Sequence, residues 1–389
     1  MKKTILKYSS LLALISSPFI SSHTYAGSCY TGTSPSAGCS INGSYGTYSM
    51  TGDINARGDN RGIAFGTGAD NNDLTLFGNI STVNGTGIYL KKSDSNNLDI
   101  TGNITTTNNG NSNYYAHGRG LEIRESNYNT TEITGDIKVS GGNATGFVLH
   151  HGKYNTTVIN GDITASGSGY SKTGVSLSGS SFISGNDGPN TTTIIGNITG
   201  TTGIWLQDTY SQTVNVTGNI LADKSGIYMV GGGGSHTCNI TGDIEATGIS
   251  GNSAAAGIYV GSSRGGNTFN LAGNIESTLN YAIDVNGAES TFNLNTGTNI
   301  IGGFYNAGTN TTITNQGTMD TLTNIGSVSS FNNSGTNTLL NNTGTMNSIT
   351  NSGTITTLNN ENVIASLTNS GTVSSFNNSG TNTLLNNTG

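Results

Sequence analysis

The chain is poor in the residues that build ordinary globular proteins. Charged residues make up 9% and hydrophobic residues 32% of its 389 positions, against about 25% and 45–50% in a typical domain. That scarcity argues against helical bundles and doubly wound α/β enzymes, which draw on long runs of Leu, Ala, Glu and Lys. Proline is nearly missing, at 3 residues. Disordered chains usually combine weak hydrophobicity with abundant charge or proline, and this one has neither. Basic residues number 14 against 21 acidic, a net charge of −7, which speaks against nucleic acid as a partner, since phosphates demand a basic face. Cysteines number 3, no Cys/His cluster has zinc spacing, and no metal or cofactor is expected. What fills the space is glycine, 59 residues of it, among Asn, Thr and Ser. Periodicity must decide between a repetitive β architecture and a polar low-complexity tract.

Residues 1–26 have the layout of a secretory signal peptide. Lys2, Lys3 and Lys7 precede an apolar stretch from Leu11 to Ile20, and Thr24-Tyr25-Ala26 places small residues where a signal peptidase inspects. The stretch is too short for a membrane span, and Pro18 interrupts it. Export is expected, with display at the cell surface or release. Without the three leader lysines the chain keeps 11 basic and 21 acidic residues, a net of −10. Cys29 and Cys39 flank a Gly/Ser/Pro loop in an N-terminal cap over residues 27–47, and a disulfide between them is expected in an oxidising compartment. Cys238 aligns with Val214 and Phe269 and is expected to be a buried apolar side chain.

Within residues 48–298 a first phrase recurs nine times: apolar or Thr, x, apolar, x, Gly, Asn or Asp, Ile. Its glycines run from Gly52 to Gly273, with Ile54, Ile80, Ile104, Ile137, Ile163, Ile198, Ile220, Ile244 and Ile275 two places on. Apolar residues two apart place one face of a strand in a core. A second phrase, Gly-apolar-x-apolar, interleaves with it, as at Gly120-Leu121-Glu122-Ile123 and Gly203-Ile204-Trp205-Leu206. From second phrase to first the gap is 15 or 16 residues in seven of eight cases, while the other arm varies from 7 to 18. One constant arm and one variable arm are what a stacked solenoid produces, because one side must match the neighbouring coil and the other is free to grow. The expected fold is all-β, a right-handed parallel β-helix. Nine coils at roughly 4.8 Å would make a rod of about 43 Å, with a core column one layer wide.

Over residues 299–389 the pattern tightens to a nonad. Glycine recurs from Gly308 to Gly389 every nine residues, and Asn362 fills the one missing place, by tolerance of the left-handed conformation on this reading. Counting glycine as place one, place six is large and apolar from Ile313 to Leu385, and place eight is Asn from Asn315 to Asn387. Each unit is a short strand with an Asn-x-Gly turn, and stacking would align the asparagines in a hydrogen-bonded ladder. A calcium-binding nonapeptide solenoid is rejected, because it needs an aspartate in each repeat and only Asp320 and Glu361 are present. Residues 328–344 recur unchanged as 373–389, five nonads on, which suggests a recently expanded spacer. Five nonads do not divide into whole coils of two or three strands, so the coil size stays open. The last repeat runs to Gly389 with no capping segment, so a truncated chain is expected.

The leader, the Gly/Asn/Thr-rich coils and the Asn-x-Gly-Thr nonads together resemble the passenger region of a Gram-negative autotransporter, a type V secretion system, over essentially the whole mature chain. The resemblance implies a β-helical passenger that crosses an outer-membrane barrel and is displayed or released. No barrel strands of alternating pattern with aromatic ends are present in this sequence, so the translocating barrel is missing from it. Many members of that family are adhesins or toxins, and some carry serine protease or esterase domains.

No catalytic set assembles in the sequence. The one Gly-x-Ser-x-Gly string, Gly261-Ser262-Ser263-Arg264-Gly265, leads to another strand, where a hydrolase elbow must lead into a helix. His150-His151 reads as an exposed turn. Asp136 and Asp162 occupy equivalent places in successive coils, a spacing that would suit a paired-carboxylate glycosidase site, yet five of nine coils carry Asn there, which points to turn geometry. Binding has better candidates. Trp205, Tyr228 and Tyr259 fall at the outward place of the second phrase in three consecutive coils, forming an exposed aromatic stripe suited to sugars or a partner protein. The alternative is an aromatic ladder that stiffens the rod. Arg57-Gly58-Asp59 spells the integrin attachment tripeptide in a variable arm, and a chance turn is the simpler account. The long arm from Asn108 to His117 is a further candidate binding face. The expected function is a non-enzymatic surface adhesin for a host cell-surface protein or glycan, with a structural stalk and a carbohydrate-active β-helix enzyme as the alternatives.

Overall fold

The structure, a computed structural model, describes residues 38–57, 61–108, 118–167, 171–179, 188–248, 255–262, 264–278 and 281–389. Every regular element within them is a β-strand. One coil shows how the phrases are laid out. Ile104–Asn108 follows the first-phrase glycine, Arg119–Arg124 carries the second phrase, and Thr130–Thr134 leads to the next first-phrase glycine. Each of the three strands bonds in parallel to its counterparts one coil before and after. The third strands form a sheet of 15, and the first and second strands together form a sheet of 23. The two strand sets of the larger sheet merge where first and second strands run on as single elements, in Ile198–Gln207 and Ile220–Gly231. The chain is a right-handed parallel β-helix. With one third strand per coil, the rod is roughly 65–70 Å long at the usual strand spacing. The same columns run through the irregular coils into the nonads, which is why it exceeds the nine-coil expectation.

The core is a set of single-file columns. The nine isoleucines of the first phrase stack from Ile54 to Ile275 and continue through Ile300 and Met319, all buried. Each side chain covers its equivalents above and below, so a chain with few apolar residues still excludes water along the rod. Cys238 stacks between Val214 and Phe269 in such a column, and burial pushes its thiol pKa up to about 12. Cys39 is disulfide-bonded, while Cys29 and the leader lie outside the described residues.

The two phrases need glycine for different reasons. At Gly102 φ is +148°, and a Cβ would run into the backbone carbonyl of Gly78 in the preceding coil. At Gly120 a Cβ would strike the Ile137 side chain of the following coil, so the second-phrase glycine makes room for the isoleucine column. The constant arm owes its length to the turn between second and third strands. There Asn72, Asn96, Asn129, Asn155, Asn190 and Gln212 form a buried side-chain ladder, each amide N–H donating to the next side-chain oxygen at 3.0–3.1 Å. The variable arm is the connection between first and second strands, which lies outside this ladder.

In the tail a coil is two nonads, with Thr318, Thr336, Thr354 and Thr372 in register. Successive nonads alternate between the two sheets, so two asparagine ladders rise together. One runs from Asn306 to Asn378 and the other from Asn315 to Asn387, with Nδ2···Oδ1 distances of 2.7–2.8 Å. The second amide proton goes to a backbone carbonyl, as from Asn351 to Thr372 at 3.0 Å. Place three, which periodicity did not single out, is a further inward column: Met319, Val328, Asn337, Met346, Ile355 and Ile364 are all buried there. Asn337 is the polar member, and its Oδ1 has no partner. The explanation expected for Asn362 is corrected. Neither Asn362 nor any nonad glycine from Gly308 on has a left-handed φ. The tail needs glycine because a Cβ would meet the carbonyl of the preceding coil, as at Gly353 against Gly335.

The repeated segment 328–344 recurs 45 residues on, an offset of two and a half coils. Ser327–Asn333 therefore stands in the sheet of 15 while its copy, Thr372–Asn378, stands in the sheet of 23. The same exchange holds for Thr336–Asn342 and Thr381–Asn387. One sequence thus fits either side of the coil. Deleting the single nonad 345–353, which moves every later strand to the opposite sheet, should leave β-sheet circular dichroism and Tm close to those of a variant lacking 345–362. A single-nonad variant that fails to fold while the double deletion folds would show that the two sides are not equivalent.

Candidate functional site

The middle residue of each second phrase points away from the core, because its two neighbours point in. In register these residues form one outward column: Ala64, Tyr89, Glu122, Val148, Ser176, Trp205, Tyr228, Tyr259, Asp284 and Tyr305. Although it lies on an outer face, parts of the column are well covered, with Tyr89 at 6% exposure, Glu122 at 4% and Val148 at 7%. Outward columns on either side wall it in. Thr86, Arg119, Thr145 and Thr173 stand on one side, and Lys91, Arg124, His150 and Ser178 on the other. Asn143 and Ser171, from connections between first and second strands, help close a polar pocket of about 390 Å³ over the coils of Glu122, Val148 and Ser176.

The charges on this face are arranged unevenly. Arg119 forms an ion pair with the buried Glu122. Arg61 lies over the Tyr89 ring at 3.9 Å from its centroid. Burial raises the Tyr89 hydroxyl above its ordinary pKa, with the Glu122 carboxylate adding to the effect. Arg124 approaches the Glu125 carboxylate through Nε at 3.5 Å, and Glu125 is shared with Lys92 at 3.2 Å. His150 is pushed down to about 4, first by burial and then by His151, Arg124 and Arg119. It therefore sits in the pocket as a neutral imidazole at pH 7. Three polar atoms on this face are buried without a hydrogen-bond partner: Arg124 Nε, His150 Nδ1 and Trp205 Nε1.

The expected aromatic stripe is assembled directly beyond the pocket. Trp205 follows Ser176 in register and meets Tyr228 edge to face at 5.7 Å between centroids, and Tyr228 stacks on Tyr259 at 5.1 Å. These rings are half-buried, where the sequence suggested full exposure, because Lys224 covers the Tyr228 face at 5.0 Å and the flanking columns rise around them. No family model, curated protein or solved structure matches this chain. The site therefore stands on its geometry alone.

Other candidates fare differently. Asp53, Asn79, Asn103, Asp136, Asp162, Asn197, Asn219, Asp243 and Asn274 make an outer ladder. Each Oδ1 accepts the backbone N–H of the next member, at 2.7–3.1 Å. Only an acceptor is needed, so Asp and Asn interchange. Asp136 is also held by Lys138 at 2.9 Å, which keeps its carboxyl below the usual range. Arg57 ends the strand Ile54–Arg57, while Gly58 and Asp59 lie outside the described residues, as do Ser263 and residues 109–117. Ser262 is buried, and its one hydroxyl proton is within reach of the carbonyls of Gly233 and Arg264. Among the described residues, no group of three or more His, Cys, Asp or Glu is placed to hold a metal. His150 corrects its reading as an exposed turn: it ends the strand Thr145–His150 and lines the pocket, and His151 alone is in the left-handed turn. Arg119, Glu122, Arg124 and Val148 were missed. Glu122 and Val148 stand at the same outward place as Trp205 in earlier coils, and Arg119 and Arg124 stand in the columns flanking it. A second exposed stack, Tyr128 on Tyr154 at 5.0 Å, marks the turn between second and third strands.

The outer ladder gives a direct test of the carboxylate reading. Asp162→Asn should leave Tm unchanged, while Asp162→Ala, which loses the acceptor for Asn197, should cost about 1 kcal/mol in denaturant unfolding. A loss from Asp162→Asn equal to that from Asp162→Ala would mean that the charge itself matters.

His236 supplies a pH test. It replaces an asparagine in the buried inner ladder, and its Nδ1 accepts from the Gln212 backbone N–H at 3.3 Å. Burial lowers its pKa to about 4 from 6.5. The unfolded chain then binds more protons between those values, so the stabilisation is complete above pH 6.5 and is lost as pH falls to 4. The loss is on the order of 3 kcal/mol. His236→Asn should flatten the fall in Tm across that window, and identical profiles would contradict this assignment.

Proposed function

We propose that this chain is the passenger rod of an autotransporter, exported through its leader and acting without catalysis as an adhesin at the bacterial surface. The observation that carries the reading is the outward column from Tyr89 to Tyr259, walled by two further columns and lined with paired charges and stacked rings. A rod of stacked coils can hold such a face rigid over several coils, and aromatic side chains, with two rotatable bonds each, bind with little loss of side-chain entropy. The nonad tail, with its paired asparagine ladders, suits a spacer that holds this face away from an outer-membrane anchor. The enzyme alternative gains no support from Asp136 and Asp162, whose oxygens are engaged in the ladder. The partner is a host cell-surface protein or glycan.

The double variant Trp205→Ala with Tyr228→Ala should reduce attachment of the purified chain to epithelial cells at least tenfold, with little change in Tm because both rings lie outside the core. Attachment equal to that of the unaltered chain would reduce the column to a stiffening ladder. Loss of attachment by Asp59→Glu with the double variant unaffected would move the site to Arg57-Gly58-Asp59.

A further inference from the structure

The polar pocket and the aromatic column adjoin along one line, and their chemistries differ in a way that names a ligand. We propose that the pocket over Glu122, Val148 and Ser176 binds the carboxylate of an acidic sugar, with the next pyranose of the same glycan lying on Trp205. This rests on the reading of this face as a binding surface and specifies what it takes.

Charge comes first. On the outward side of the four strands Thr86–Lys91, Arg119–Arg124, Thr145–His150 and Thr173–Ser178 the charged residues are Lys91, Arg119, Arg124 and Glu122. Three cations against one carboxylate give a local excess of two positive charges, in a chain whose net charge is −7. Glu122 is already committed to Arg119, and Glu125, which Arg124 meets through Nε at 3.5 Å, is shared with Lys92, so Arg124 is the lining cation left to face a ligand. Burial is the main cause of the depressed His150 pKa, and His151, Arg124 and Arg119 add to it. A planar guanidinium fork suits a carboxylate better than it suits a neutral group.

The remaining lining points to a sugar. Thr145, Ser171, Ser176 and Ser178 surround the space with hydroxyls, and His150 Nδ1 is buried there without a hydrogen-bond partner. One coil further along, Trp205 stands in register with Ser176. The coil spacing of about 4.8 Å is close to the length of one pyranose in an extended glycan, so successive rings can address successive coils. A peptide fits less well. The strands of this face are paired on both sides and have no free backbone edge, which removes the usual way of adding an extended peptide.

The test is calorimetric titration of the whole chain with uronic-acid and sialic-acid trisaccharides and with their methyl esters, which keep the sugar and remove the charge. The acids should bind at least tenfold more tightly than the esters. Arg124→Gln should weaken acid binding at least tenfold and leave the esters unchanged, while Trp205→Ala should weaken both. Arg124 is the residue to change, because its side chain is 41% exposed, whereas removing Arg119 would strand the buried Glu122 carboxylate. Equal binding of acid and ester would overturn the assignment. So would failure of every acid to bind a chain that still attaches to cells through Trp205 and Tyr228, and in that case the adhesin reading would stand. Tight, Arg124-dependent acid binding by a chain that attaches to no cell would uphold the pocket and overturn the adhesin reading.

Discussion

Everything in this rod depends on self-stacking: each residue lies in register against its structural equivalent in the next coil, at about 4.8 Å. A side chain is acceptable only if it interacts favourably with a near copy of itself. Isoleucine, leucine and phenylalanine satisfy this by dispersion and exclusion of water, as in the column from Ile54 to Met319 and the stacked pair Phe269 and Phe292 at 4.7 Å. Asparagine satisfies it because one amide carries both a donor and an acceptor, so a buried row of identical side chains saturates itself. Like charges cannot satisfy it in a dry interior. A chain built on this rule is short of charge from the start.

The ladders show the rule at different depths. The buried inner ladder uses amides from Asn72 to Gln212, since each member must donate as well as accept. The outer ladder mixes Asp53, Asp136, Asp162 and Asp243 with asparagines, because there the donor is the next backbone N–H and solvent screens adjacent carboxylates. The same logic places the charge and the rings. Arg119 and Glu122 share one strand and neutralise each other, and tyrosine rings stack face to face at Tyr228–Tyr259 and Tyr281–Tyr305. Where the rule is broken, the breach is visible as an atom without a hydrogen-bond partner, at Asn337 in the core and at His150 in the pocket.

Periodicity made most of the fold legible. The nine isoleucines, the place-six column and the place-eight asparagines could be read because self-stacking writes the same residue type at each coil. Cys238 was readable for the same reason, from Val214 and Phe269 on either side. Place three of the nonad was passed over because Asn337 and Asn382 interrupt its apolar run. The glycine requirement in the tail was assigned to backbone conformation, when its origin is the approach of one coil to the next, a contact invisible in a single unit. The aromatic stripe was readable from three similar residues in a row. Its continuation through Glu122 and Val148 was not, because that part of the column changes residue type at each coil.

The sequence alone determined the architecture: period two within strands, two phrases per coil, a constant and a variable arm, and an asparagine ladder in the tail. These are properties of one column repeated, and a repeated column is written in the chain. Tertiary structure decided how columns lie beside one another. It set the tail coil at two nonads, allowed one sequence to occupy both sheets, and brought Arg119, Arg124 and His150 around a pocket beside Trp205. Such lateral neighbours come from different strands with unrelated residue types, and no period along the chain encodes their meeting.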